Sequence, residues 1–206
     1  MKKILIDGIV GSGKSHVCRL FSKLGIPIFY SDIKAKIILD SNSGTITRIK
    51  SEFGEGIYKN RVLDRMALAN IVFNDKDKLA VLDSIVHPMV QEEFEFWCEM
   101  QEKFNICPYV IEESAIAIKH GIHKNFDYTI VVTADELTRI NRVMLRDKCG
   151  ENKVRERMKN QLSDEDIISQ ADFVITNDDF PNTECQVKAI HKIILDSIEN
   201  YNLKQI

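Results

Sequence analysis

Eight consecutive residues carry the clearest chemistry in the chain: Gly8-Ile9-Val10-Gly11-Ser12-Gly13-Lys14-Ser15, a full match to G-x-x-x-x-G-K-S. The glycines let the backbone turn tightly and aim successive N–H groups at one anion. A helix expected over 14–24, closed by Gly25, adds the positive end of its dipole at the same point. Lys14 brings a point charge suited to β- and γ-phosphates, and Ser15 a hydroxyl suited to Mg²⁺. A glycine-rich strand-to-helix turn with a surface lysine would not explain Lys and Ser side by side at the helix start. The run predicts a cradle for a nucleoside triphosphate.

Two more groups fit phosphoryl transfer. Asp32 follows an expected strand over 26–30, and ligands of a doubly wound sheet sit at the carboxyl ends of its strands. A carboxylate there can hold, or deprotonate, a hydroxyl facing the γ-phosphoryl group. It can equally serve as N-cap of a helix over 33–39, and both roles are compatible. Arg139, Arg142 and Arg146 recur at i, i+3 and i+7 and share a helix face. Such a face is commonly just solvated. Downstream of a phosphate loop it also fits a lid whose arginine neutralises the transferring group.

These residues need a scaffold. Short apolar runs at 3–7, 26–30, 108–112, 128–133 and 173–176 read as strands buried on both faces, separated by helical stretches. The expected fold is α/β, a doubly wound five-stranded parallel sheet of the P-loop NTPase type. One kinase-like domain over 1–206 is expected, with its core at 1–31, 105–134 and 171–206. The interval 32–104 shows no strong strand signal and reads as a helical insertion that binds the acceptor; 135–170 is a charged helical stretch that reads as the lid.

Composition narrows the class. The 206 residues carry 28 Lys and Arg against 31 Asp and Glu, a formal charge of −3, without the basic excess of a nucleic-acid binder. No apolar stretch is long enough to span a membrane, and the initial apolar run stops at Asp7, too short for a signal peptide. Five cysteines without a C-x-x-C pair suggest reduced thiols and a cytoplasmic protein. A GTPase should show N-K-x-D; the nearest string, at Asn74, has the order wrong, and the D-x-x-G at Asp147 follows no strand.

Over nearly its whole length the sequence resembles the dephospho-coenzyme A kinase family. The P-loop is similar to that family's G-G-I-G-S-G-K-S; Leu24-Gly25-Ile26-Pro27 with Ser31-Asp32 resembles its L-G-x-P…D-A-D. Arg65-Met66-Ala67-Leu68 with Phe73, and His87-Pro88, are similar to its R-x-x-L…F and H-P. Arg142 with Arg146-Asp147 resembles its R-x-x-x-R-D, Arg157 with Gln161 its R-I-x-x-Q, and Ala171-Asp172 through Asn177 its A-D-x-V-I-x-N. There are departures. Tyr30 replaces the first Asp of D-A-D, and His16 replaces a Thr. Arg139 stands where Gln is frequent, and Ala115-Ile116-Ala117-Ile118-Lys119 replaces P-L-L-x-E, so Lys119 inverts a charge that Glu112 or Glu113 can supply instead.

The resemblance implies transfer of the ATP γ-phosphoryl to the ribose 3′-hydroxyl of dephospho-coenzyme A, with ATP as co-substrate and Mg²⁺ as cofactor. It implies that Lys14, Asp32 and Arg142 are catalytic, and that Gly8, Gly11, Ser12, Gly13, Lys14, Ser15, His16 and Asn177 bind ATP, Asn177 beside the adenine. Ser15 ligates the metal, and Asp32, Arg65 and His87 bind the acceptor. For Arg65 and His87 a surface charge and a helix start before Pro88 are the competing readings. The expected partners are these small molecules, with no nucleic acid and no membrane, in a monomer or small homo-oligomer. Another nucleoside or nucleotide kinase, or a nucleotide-binding protein without turnover, are the rival functions.

Overall fold

A computed structural model of the protein describes residues 1–104 and 107–203. In order the chain forms β1 (Lys2–Gly8), α1 (Lys14–Lys23), β2 (Ile28–Tyr30), α2 (Ser31–Ser41), α3 (Ser43–Phe53), β3 (Tyr58–Lys59), β4 (Val62–Leu63), α4 (Arg65–Asn74), α5 (Lys76–Lys103), β5 (Tyr109–Glu113), β6 (Tyr128–Thr133), α6 (Glu136–Asp147), α7 (Glu151–Lys159), α8 (Asp164–Ile168), β7 (Phe173–Thr176) and α9 (Phe180–Leu203). Single 3-10 turns lie at Glu55–Ile57 and Ile122–Asn125. The chain divides into two compact units, Met1–Phe29 with Gln101–Ile206, and Tyr30–Met100.

The five-stranded parallel sheet expected from the sequence is present, in the order β2-β5-β1-β6-β7. β1 pairs in parallel with β5 on one side and β6 on the other, so the loop that follows it leaves from the middle of the sheet. Ile4, Leu5 and Ile6 of this central strand are fully buried, which is why the run is continuously apolar rather than alternating. No helix among the described residues is long and apolar enough to cross a membrane.

Local rules account for the element ends. α1 closes as a Schellman motif: Ile26 N–H reaches Phe21 O at 3.2 Å and Gly25 N–H reaches Ser22 O at 3.0 Å, with Gly25 at φ +84°. That cap uses the N–H of Ile26, and Pro27 has none, so β2 begins at Ile28 rather than at the expected residue 26. Pro108 likewise has no N–H for the ladder, and β5 runs one residue later than expected, with Glu113 opposite Ile6.

The 30–100 unit departs from the sequence expectation in three places. It contains a small hairpin, β3 against β4, joined by Asn60 and Arg61, both at positive φ as a type I′ turn requires. Strands of two residues carry no readable period, so only Asn60 signalled it. Second, α5 runs unbroken through Pro88, which removes the helix start that was the competing reading for His87. Third, α2 begins at Ser31, which puts Asp32 in its first turn, and the cap position, Tyr30, makes no side-chain capping bond. Asp32 is therefore not an N-cap.

A Cβ on Gly25 would meet nothing within 4 Å, so the cost of adding one is conformational alone. Gly25→Ala is expected to lower the unfolding free energy by about 1 kcal/mol, read from urea denaturation midpoints, because L-residues disfavour this region. An unchanged midpoint would contradict the cap.

Candidate active site

The loop 8–15 is set at its entrance by Asp7. This carboxylate is buried, accepting Gly8 N–H at 2.6 Å through one oxygen and Ile118 N–H at 2.9 Å through the other. It joins the end of β1 to the segment after β5. The sequence reading used Asp7 only as the stop of an apolar run; a charge ending an otherwise buried strand was the available signal. Gly11 and Gly13, at φ +82° and +89°, then carry the chain around. A Cβ on Gly11 would lie 2.5 Å from Arg139 O, and one on Gly13 would lie 2.1 Å from Asn177 Nδ2. Neither position admits a side chain. Gly13 is also the N-cap of α1, and its carbonyl accepts from His16 N–H at 2.8 Å.

Three predicted residues from separate elements converge on carbonyls of this loop. Lys14 Nζ donates to Gly8 O at 2.6 Å. Asn177 Nδ2, just past β7, donates to Ser12 O at 2.8 Å. Arg142 of α6 donates to Ser12 O at 3.4 Å and, through its other terminal nitrogen, to Asn177 O at 2.8 Å. Asn177 is 1% exposed, and its Oδ1 accepts from Thr183 Oγ1 at 3.1 Å. Two atoms beside the loop, Ser12 Oγ and His16 Nε2, are buried with no hydrogen-bond partner among the described residues. The His16 ring meets Phe180 edge-on at 4.8 Å. Burial lowers its pKa from the ordinary value, and the charges of Arg19, Arg142 and Lys23 add to the effect, so the imidazole is neutral at pH 7.

Glu112 and Glu113 are buried at the end of β5, next to β1. Burial pushes the Cys18 thiol up, and the Glu113 charge pushes it further, so a carboxylate stands close to α1 while that cysteine stays protonated. Ser15 is exposed on the first turn of α1. A pocket of about 120 Å³ opens beside the loop, lined by Asp7, Gly8, Ile116, Lys119, Asn160 and Gln161 among others. Lys119 is exposed there, its Nζ 3.5 Å from Asn160 O.

The three arginines of α6 part ways, and a solvated face describes only one of them. Arg139 is 2% exposed and bonded to Asp164 at 2.7 Å. Arg142 lies on the loop, and Arg146 is exposed and paired with Asp147 at 2.8 Å.

Asp32, Arg65 and His87 belong to the 30–100 unit. Asp32 is exposed in the first turn of α2. Arg65 donates to Asp40 at 2.7 Å and to Lys36 O at 3.2 Å, fastening the start of α4 to α2. His87 sits one helical turn from Asp83 on α5, with Nε2 3.6 Å from its carboxylate.

The model of the dephospho-CoA kinase family matches residues 3–182 of the chain. The chain belongs to that family. A dephospho-CoA kinase of Salinibacter ruber is 34% identical over 179 residues, 86% of this chain and 89% of the relative. One of Chlorobaculum tepidum is 32% identical over 203 residues, 94% and 95% of the two chains. Among solved structures, TT1252 from Thermus thermophilus superposes with a TM-score of 0.80 at 28% identity, covering 95% of this chain and 97% of that one. The dephospho-CoA kinase of Campylobacter jejuni gives 0.69 at 26%, covering 95% and 98%. A shikimate kinase of Bacteroides thetaiotaomicron, at 0.56 and 14% identity over 94% of this chain and 98% of that one, shares the fold alone.

In this chain the helices α6 and α7 are joined by ion pairs from both ends of α6. Arg155 bridges Glu136 and Glu151 at 2.6 and 2.7 Å, and Asp147 accepts from Arg146 and Arg157. Those two guanidinium groups, Arg146 first, hold the Asp147 carboxyl down at about 2. Because the folded value lies below the unfolded one, the pair stabilises fully above about pH 4. That contribution fades as the pH falls from about 4 to 2. Asp147→Asn is therefore expected to lower the unfolding midpoint at pH 7, and the gap between wild-type and variant midpoints should shrink steeply between about pH 4 and pH 2 in thermal melts. A gap as wide at pH 2 as at pH 7 would contradict the ion pair as its source.

Proposed function

We propose that the chain phosphorylates the ribose 3′-hydroxyl of dephospho-coenzyme A with ATP, in the cytoplasm, giving coenzyme A and ADP. The observation that carries this reading is the convergence of Lys14, Arg142 and Asn177 on the carbonyls of the loop 8–15, in a chain of the dephospho-CoA kinase family. Donors that hold a loop by its carbonyls leave those of its N–H groups not bonded within the protein for an anion.

The assignments follow from the chemistry of each group. The amides of Gly11, Gly13, Lys14 and Ser15 cradle the donor phosphates, while the Ser12 N–H closes the turn on Ile9 O at 3.1 Å; Ser12 Oγ, buried without a partner among the described residues, completes the cradle. Gly8 admits the chain to it. Lys14, held at Gly8 O, brings its charge to the β- and γ-phosphates. Arg142 supplies positive charge beside the loop as charge shifts in the transition state. Asn177, buried and bonded on both sides, serves the nucleotide by buttressing Ser12 rather than by touching the base. Neutral His16 with Phe180 offers an aromatic surface on the nucleotide's side of α1.

The oxygen donors present suit Mg²⁺: Ser15 Oγ on the first turn of α1 and the Glu113 carboxylate at the end of β5 would hold it. When bound, it neutralises charge on the β- and γ-phosphates. Asp32 aligns the acceptor hydroxyl and takes its proton; in a loose transition state alignment counts for more than basicity. Arg65 and His87 bind the acceptor's phosphate groups. Residues 135–170 act as the lid.

The decisive assay supplies ATP with dephospho-coenzyme A or with mononucleotides in parallel. Phosphorylation of dephospho-coenzyme A alone is expected. Preference for a mononucleotide, or no turnover with any acceptor, would replace this reading by another kinase or by a binding protein. Lys14→Ala is expected to abolish turnover. Asp32→Asn is expected to lower kcat by about two to four orders of magnitude; a loss under about tenfold would remove Asp32 from the chemistry.

A further inference from the structure

The connection between α7 and α8 is tied to the phosphate loop by a polar contact that the assignments above leave unused. Gln161 Oε1 accepts the Val10 N–H at 3.0 Å. Val10 lies inside the loop, so one of its amides is aimed at the connection. The contact is supported on both flanks. Leu162 and Ile167 pack in the same apolar cluster as Ile9 and Val10. Asp164, three residues after Gln161, takes the Arg139 guanidinium at 2.7 Å. Arg139 is buried, and its Nε and Nη1 have no hydrogen-bond partner among the described residues, so Asp164 carries the pairing of that charge. A buried cation is costly to unpair, which holds the first residue of α8 in place. The backbone of the same arginine abuts the loop at Gly11.

We propose that Gln161 is a positioning residue of the ATP site. Its amide oxygen turns the Ile9–Val10 peptide outward and so sets the remaining loop amides for a triphosphate, while the Arg139–Asp164 pair keeps Gln161 in register. A loop held in its binding conformation beforehand loses less entropy when the ligand arrives. The linkage is reciprocal: if Gln161 favours ATP binding, bound ATP favours the docked connection. This inference rests on the reading of residues 8–15 as the ATP cradle.

The test compares equilibrium binding of ATP with Mg²⁺ to the wild type and to Gln161→Met, Asp164→Asn, the double variant and Lys14→Ala. Gln161→Met keeps length and removes the acceptor. It is expected to raise the Kd for ATP about tenfold, the scale of one hydrogen bond to a preset loop. The thermal midpoint, the KM for dephospho-coenzyme A and kcat at saturating ATP should stay near wild type. Asp164→Asn is expected to raise the Kd about threefold or more. The double variant should bind no worse than Gln161→Met, because both act through one contact. A Kd within twofold of wild type for Gln161→Met would overturn the proposal. So would a loss confined to kcat or to the melting midpoint, or additive effects in the double variant.

One arm needs no variant. Saturating ATP should slow hydrogen exchange across residues 157–168 of the wild type, and an unchanged rate there would overturn the linkage. Lys14→Ala separates the two readings. If it loses ATP while Gln161→Met does not, only the positioning role fails; if it binds ATP normally, the cradle itself is misplaced.

Discussion

A backbone segment that turns its N–H groups toward one anion must turn its carbonyls the other way, and those carbonyls need donors. In the loop 8–15 the donors are Lys14 for Gly8, and Asn177 and Arg142 for Ser12. They come from α1, from the residue after β7 and from α6, so the arrangement of the core can be seen as the means of bringing three elements to one turn. The order β2-β5-β1-β6-β7 does this because β1 is central, and the parallel neighbours β6 and β7 leave the sheet at the same carboxyl end as β1. Asn177 is pinned through its own N–H to Thr133 O at 2.8 Å, which ties the last strand's exit to β6 before its side chain reaches the loop.

Close approach is the second constraint, and it explains why glycine stands where it does. At Gly11 the neighbour is the backbone of α6, and at Gly13 it is the amide of Asn177. Neither can withdraw without losing the donors just named. The loop is thus a packed feature on its outer side as well as an open one toward phosphate, which is unusual for a surface turn and suits a group that must not move when charge develops beside it. Asp7 contributes from below, spending both carboxylate oxygens on backbone amides of two different segments.

The 30–100 unit follows a different logic. Its candidate residues are held by local partners: Arg65 by Asp40 and Lys36, and His87 within one turn of Asp83. Asp32 lies exposed in the first turn of α2, whose cap position is Tyr30. Lys119 is exposed at the pocket beside the loop, while the buried acidic positions that precede it in the chain are Glu112 and Glu113 at the end of β5.

The strands, the phosphate loop and the glycine cap of α1 were legible in the residues because each depends on neighbours in sequence: an apolar run, a spacing of glycines, a Gly at the end of a helix. The ends of β2 and β5 shifted by one or two residues for equally local reasons, the missing N–H of Pro27 and Pro108. The hairpin at Asn60 was too short to leave a period, and Pro88 proved compatible with a continuous helix. The fate of the arginines was not written in their spacing at all. Arg139, Arg142 and Arg146 occupy equivalent turns of one helix, yet one is buried on Asp164, one bonds the loop and one faces solvent. Contiguous residues determined where a phosphate could be held; which side chains hold Ser12 of the loop was decided by elements 130 to 165 residues away in the chain, because only packing brings those donors to the carbonyl that needs them.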